Sequence, residues 1–133
     1  MEEKIFEILD IAADYQSQND AAKKKTLQKM EAEWETLPSK KNEVSEASIL
    51  ALMMLDEYLK FGDVPAATRW ASILINDKDR PDSGEKELIK GKLAYASGDV
   101  EEAKRLFRLA FEKSKGREFV GEDKKYLELL KKK

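Results

Sequence analysis

Ten residues beginning at Gly62, GDVPAATRWA, and ten beginning at Gly98, GDVEEAKRLF, spell one phrase twice, 36 residues apart: Gly-Asp-Val, two free positions, Ala, one free position, Arg. The phrase joins a helix stop to a helix start. Glycine reaches the left-handed conformation that satisfies the last carbonyls of a helix at no Cβ cost. The aspartate that follows accepts a hydrogen bond from a free amide in the first turn of the next helix. A chain that writes this twice is constrained to make the same sharp reversal twice. Each copy therefore predicts two antiparallel helices joined at Gly-Asp, with Val64 and Pro65 in the first turn of the second helix, where a missing amide does no harm. Ala67 and Ala103 fall where a small side chain lets paired helices approach closely. Trp70 and Ala71 in one copy, and Leu106 and Phe107 in the other, carry the apolar stripe on to Leu74 and Ala110.

The rest of the chain extends this pattern. Ile5, Ile8, Leu9 and Ala12 recur at helical spacing, and Asn19-Asp20 is a stop and restart. A second helix carries Leu27, Met30, Trp34 and Leu37 on one stripe and ends at Pro38. PSKKNEV reads as a loop, and Ser45 as the N-cap of a third helix, EASILALMMLDEYLKF, apolar nearly all round at its centre. Between the copies, Asp82 and Glu85 have the spacing of a capping box, as do Asp99 and Glu102. A fifth helix covers Leu88, Ile89, Leu93, Ala94 and Tyr95, and a sixth runs from Val100 to about Lys115. GREFVGED turns the chain, with Phe119 packing inward, into a last helix that sets Tyr126, Leu129 and Leu130 on one face. Seven helices and no strand make the expected fold all-α.

Composition narrows function by exclusion. Of 133 residues, 39% are charged, which suits helices with solvated outer faces, and 41% are hydrophobic, enough for a core. Lys and Arg total 25 against 27 Asp and Glu, so no strong field draws the chain to nucleic acid or an anionic membrane. The runs Lys23 to Lys25 and Lys131 to Lys133 lack interleaved aromatics and read as solvated lysines. There is no cysteine and no histidine, which removes disulfides, thiolate metal sites and the usual nucleophile–base pairs. No metal-ligand spacing or phosphate-cradling loop occurs, so no cofactor is expected. The start MEEKIFEILDIAADY has acids where a secretion signal needs positive charge, and the longest apolar run, Ile49 to Leu55, is far short of the roughly 18–20 residues that span a bilayer. A cytoplasmic location is the expectation.

A helical hairpin repeated at a period near 34 residues is the mark of tetratricopeptide repeats, and GKLAYASGDVEEAKRLFRLAFEK resembles that family over most of one repeat. Small Gly91 is followed by Gly98, Ala103, Phe107 and Ala110 at the family's intervals. The upstream copy keeps Gly62, Ala67 and Ala71 but has Leu55 at the small position and Leu74 at the late alanine. The resemblance covers Ala47 to Gly116. It implies one domain over residues 1–133, a short right-handed solenoid of stacked antiparallel hairpins: a degenerate hairpin and connector (1–44), two repeats (45–80 and 81–116) and a capping helix (117–133).

In such solenoids the first helix of each repeat lines a concave face. Carrying the family's inward positions over residue by residue gives Ile49, Leu52, Asp56, Leu59 and Lys60, then Glu85, Leu88, Lys92, Tyr95 and Ala96, with Tyr15 a further contributor. Leu52, Leu59 and Leu88 are expected to be buried, and Asp56, Lys60, Lys92 and Tyr95 to face solvent. The Lys, Arg and Asn cluster with which some members clamp chaperone C-terminal carboxylates is replaced by Leu52, Asp56, Glu85, Leu88 and Ile89. The expected function is non-catalytic binding of a protein or peptide partner in this groove. Narrower or contrasting readings are an immunity- or antitoxin-like neutraliser, self-association through an exposed face, and a small carboxylate-dependent enzyme with Asp56 opposite Glu85.

Overall fold

Both Gly-Asp turns close in one geometry. In the computed structural model, which describes residues 2–38, 41 and 46–131, Gly62 (φ 74°) and Gly98 (φ 87°) are left-handed. The Gly62 amide donates to the Leu59 carbonyl at 3.0 Å and the Asp63 amide to that of Tyr58 at 2.9 Å; the Gly98 amide donates to Tyr95 at 3.1 Å and the Asp99 amide to Ala94 at 2.9 Å. This crossed pair satisfies two end carbonyls of each helix. Asp63 (φ −87°, ψ 80°) and Asp99 (φ −88°, ψ 76°) then start the next helix, each Oδ1 accepting from the amide three residues on at 3.2 Å. A Cβ on either glycine would meet nothing within 4 Å, so only backbone conformation demands glycine there. Gly98→Ala should therefore cost about 1–2 kcal/mol in urea unfolding, and Gly98→Asn distinctly less, because asparagine tolerates the left-handed region. Equal midpoints for both variants would contradict this origin.

The described residues form an all-α fold of seven α-helices with no strand. They divide into two compact units, residues 1–54 and 55–133. The first contains α1 (Glu2–Asp10), a 3-10 turn (Tyr15–Ser17), α2 (Asp20–Glu35) and the larger part of α3 (Glu46–Lys60). Helix α1 packs on α2, and Ile5, Ile8, Leu27, Met30 and Trp34 are buried. The first helix stops at Asp10, short of Ala12, because the chain tightens there into bonds three residues apart, from the amides of Ile11, Ala12 and Ala13. Asn19 caps α2, its Oδ1 accepting from the Ala22 amide at 2.9 Å. The Ser45 cap and most of the PSKKNEV loop lie outside the described residues.

The second unit continues from Leu55 through α4 (Val64–Ile75), α5 (Glu85–Ala96), α6 (Val100–Ser114), a 3-10 turn (Arg117–Phe119) and α7 (Lys124–Lys131). Helix α5 packs against α4 and α6, and α6 against α7. The core there is Leu88, Ala103, Phe107, Ala110, Phe119, Tyr126 and Leu129. Phe107 is central: its ring lies 5.9 Å from Phe119 and 5.1 Å from Tyr126. A Cβ on Gly91 would stand 2.6 Å from the Phe107 ring, so it is the bare glycine that lets α5 lie this close to α6.

Neither capping box is made in full. Helix α5 begins after Gly84, not Asp82. Glu85 is taken by Arg80 through two bonds of 2.7 and 2.8 Å, and Asp82 by Lys113 at 2.7 Å. At α6 the Asp99 side chain caps, but the Asp99 amide is already committed to Ala94, so the Glu102 carboxylate turns to Arg105 instead. No helix among the described residues is long and apolar enough to cross a membrane.

Candidate functional site

The face read from the sequence is divided between the two units. Ile49, in the first, is 52% exposed. The remaining seven positions belong to the second unit, where α3 supplies Asp56, Leu59 and Lys60 and α5 supplies Glu85, Lys92, Tyr95 and Ala96.

Lys92 organises this region, and it is not solvent-facing as the sequence suggested. Only 6% of it is exposed. Its ammonium donates to Asp56 Oδ1 and to Glu122 Oε1, both at 2.8 Å, and lies 6.0 Å from the centre of the Tyr126 ring. Burial alone would lower its pKa, but the two carboxylates outweigh that and hold it above the ordinary lysine value. The reason for the burial is the segment leading into α7, which lies over α5. Tyr126 meets Tyr95 edge to face at 5.6 Å, and the Lys125 ammonium sits 5.3 Å from the Tyr95 ring centre, so Tyr95 too is only partly exposed.

The other positions fall into two groups. Ala96 is exposed, and the Lys60 side chain is 68% exposed while bridging Glu57 at 3.1 Å. The Asp56 side chain is 45% exposed, so it reaches solvent while holding Lys92. Glu85 is mostly covered and committed to Arg80. Leu88 is buried as expected, whereas Leu52 and Leu59 are only half-buried. Tyr15 is a core residue at 2% exposure, because the 3-10 turn swings it inward, and it contributes to no open face.

Chemically, this part of the second unit holds two carboxylates on one ammonium, one of them reaching water beside exposed Lys60 and Ala96. Such a surface can accept hydrogen bonds from a cation or an amide. Asp56 and Glu85, which could have faced each other as an acid/base pair, are each held by a different cation. No group of three or more acidic side chains with metal-holding geometry occurs among the described residues.

Sequence reasoning missed two features. Glu122 as partner to Lys92 has no local signal, since the pair is 30 residues apart. The second is a groove of about 450 Å³ between α6 and α7, lined by Arg108, Phe111, Glu112, Leu127, Leu130 and Lys131. Phe111, one position past the buried stripe residue Ala110, was its available signal. Comparison with protein-family models, with curated proteins and with solved structures gives no match in any of the three.

Proposed function

We propose that the chain is a non-catalytic interaction module of tetratricopeptide-like design, holding a protein or peptide partner against the face that α5 and the C-terminal turns of α3 share. The observation that carries this reading is the Asp56–Lys92 pair. The two residues are 36 positions apart, the same interval that separates the two Gly-Asp phrases, which supports reading them as equivalent positions of successive hairpins. Stacking of equivalent helices is what a repeat scaffold requires. Asp56 offers the partner an acceptor, Lys60 a donor and Ala96 a flat apolar step.

Affinity capture followed by mass spectrometry, wild type beside Lys60→Glu/Ala96→Arg, tests the reading. Both positions are exposed, so the far-UV circular dichroism should be unchanged, while Tm falls modestly because Lys60→Glu sets a carboxylate beside Glu57 in place of its cation. The partner should be lost from the double variant, with affinity down about tenfold or more, or at least ~1.4 kcal/mol. Undiminished capture of the same partner by the folded variant would overturn it.

A further inference from the structure

The two ends of the chain carry surfaces that fit each other. At one end is the groove between α6 and α7, its floor made by Phe111, Leu127 and Leu130 and its rim by Arg108, Lys131 and Glu112. Phe111 is 43% exposed, although Phe107, one turn earlier on the same helix, is fully buried. At the other end α1 exposes Phe6 to 49%. Around it, Glu3, Glu7 and Asp10 are exposed, and Lys4, the one cation that α1 itself carries, bridges Glu7 at 3.4 Å. Thus α1 presents an aromatic side chain among three exposed carboxylates and one cation, and the groove an apolar floor with two rim cations against one rim carboxylate.

We infer that α1 of one copy seats in the α6–α7 groove of a second copy, Phe6 entering the groove and its flanking carboxylates meeting Arg108 and Lys131. Net charge opposes the alternatives: α1 against α1 brings together two net-acidic faces, and groove against groove two net-basic rims. The contact is therefore head-to-tail, a heterologous interface in which each copy can use one end as donor and the other as acceptor. One short helix in a groove buries less than the ~1,200 Å² of stable complexes, so association is weak and concentration-dependent. Screening of the exposed charges weakens it further as salt rises.

Sedimentation velocity on the full chain at low ionic strength provides the test. Wild type should gain weight-average mass with concentration. Phe6→Glu and Phe111→Glu should each be monomeric alone, yet an equimolar mixture should form a dimer, because the first retains an intact groove and the second an intact α1. The Phe111 ring centre also lies 6.0 Å from that of Phe119; should Phe111→Glu disturb this contact and show an altered Tm, Arg108→Glu replaces it in the same design. A wild type that stays monomeric at all concentrations, a single variant that associates like wild type, or a mixture that stays monomeric would each overturn the inference.

Discussion

Phe107→Ala should lower the unfolding free energy by about 3–5 kcal/mol, the cost of removing a large buried ring and leaving a cavity. Phe107 is fully buried. The ring centres of Phe119, in the 3-10 turn, and Tyr126, in α7, lie 5.9 and 5.1 Å from that of Phe107. Losing the ring removes what both elements pack on, so collapse into the space is limited and the upper part of the range applies. Set against the ~5–15 kcal/mol of a typical domain, this is a large share of total stability. Urea denaturation followed by circular dichroism gives the number, and a loss under ~1.5 kcal/mol would mean the ring is not central. Gly91 supplies an internal check. In the wild type, Gly91→Ala drives a methyl to 2.6 Å from the ring and should destabilise. In a Phe107→Leu background the methyl finds room, and the cost should shrink or reverse.

Lys92→Met should cost about 2–3 kcal/mol at neutral pH. Removing one member of a buried ion pair strands the others, at about 3–5 kcal/mol when water cannot reach them. Here the Asp56 and Glu122 side chains keep 45% and 24% of their exposure, which softens the penalty. Replacing all three, Asp56→Leu and Glu122→Leu with Lys92→Met, should restore much of the loss, because an apolar trio strands no charge. The pH dependence distinguishes charge from packing. Lys92 is held above its ordinary value in the folded state, so the folded chain keeps this proton more tightly than the unfolded one. The triad's contribution is then complete below about pH 10 and is lost as pH rises through the raised value. Tyr126, pushed up chiefly by burial and partly offset by the Lys92 charge, loses stability in the same direction. It is retained in Lys92→Met but loses the partly offsetting Lys92 charge, so the gap between wild type and variant reports the lysine together with its coupling to Tyr126. That gap should narrow from about pH 10 upward. A gap constant from pH 7 to 11.5 would mean that the ammonium's charge contributes nothing, with pH values near the ordinary lysine pKa of ~10.4 bracketed by the range.

The helices were legible because their signals are local. Gly62-Asp63 and Gly98-Asp99 determine their turns through backbone conformation and a side chain three residues from its amide, which spacing alone reveals. Trp34, Trp70, Phe107 and Tyr126 lie on stripes of helical period and are buried. The capping boxes were misread for a related reason. Asp82, Glu85 and Glu102 have the right local spacing, but Lys113, Arg80 and Arg105 compete for the same carboxylates. At Asp82 and Glu85 a charge-assisted bond outcompetes a cap to a neutral amide, while at Glu102 the Asp99 amide is already bonded to Ala94.

By itself, the sequence determined an all-α chain, the positions of its reversals and the stripes that enter a core, since each depends on residues within a turn or two of one another. Tertiary structure alone decided which polar groups remain at the surface. Lys92 looks solvent-facing from its own helix, and only the chain around Glu122 and Tyr126, folded back from thirty residues away, takes it out of water. Burial and ion pairing depend on distances between segments remote in sequence, and no periodicity within a helix encodes those.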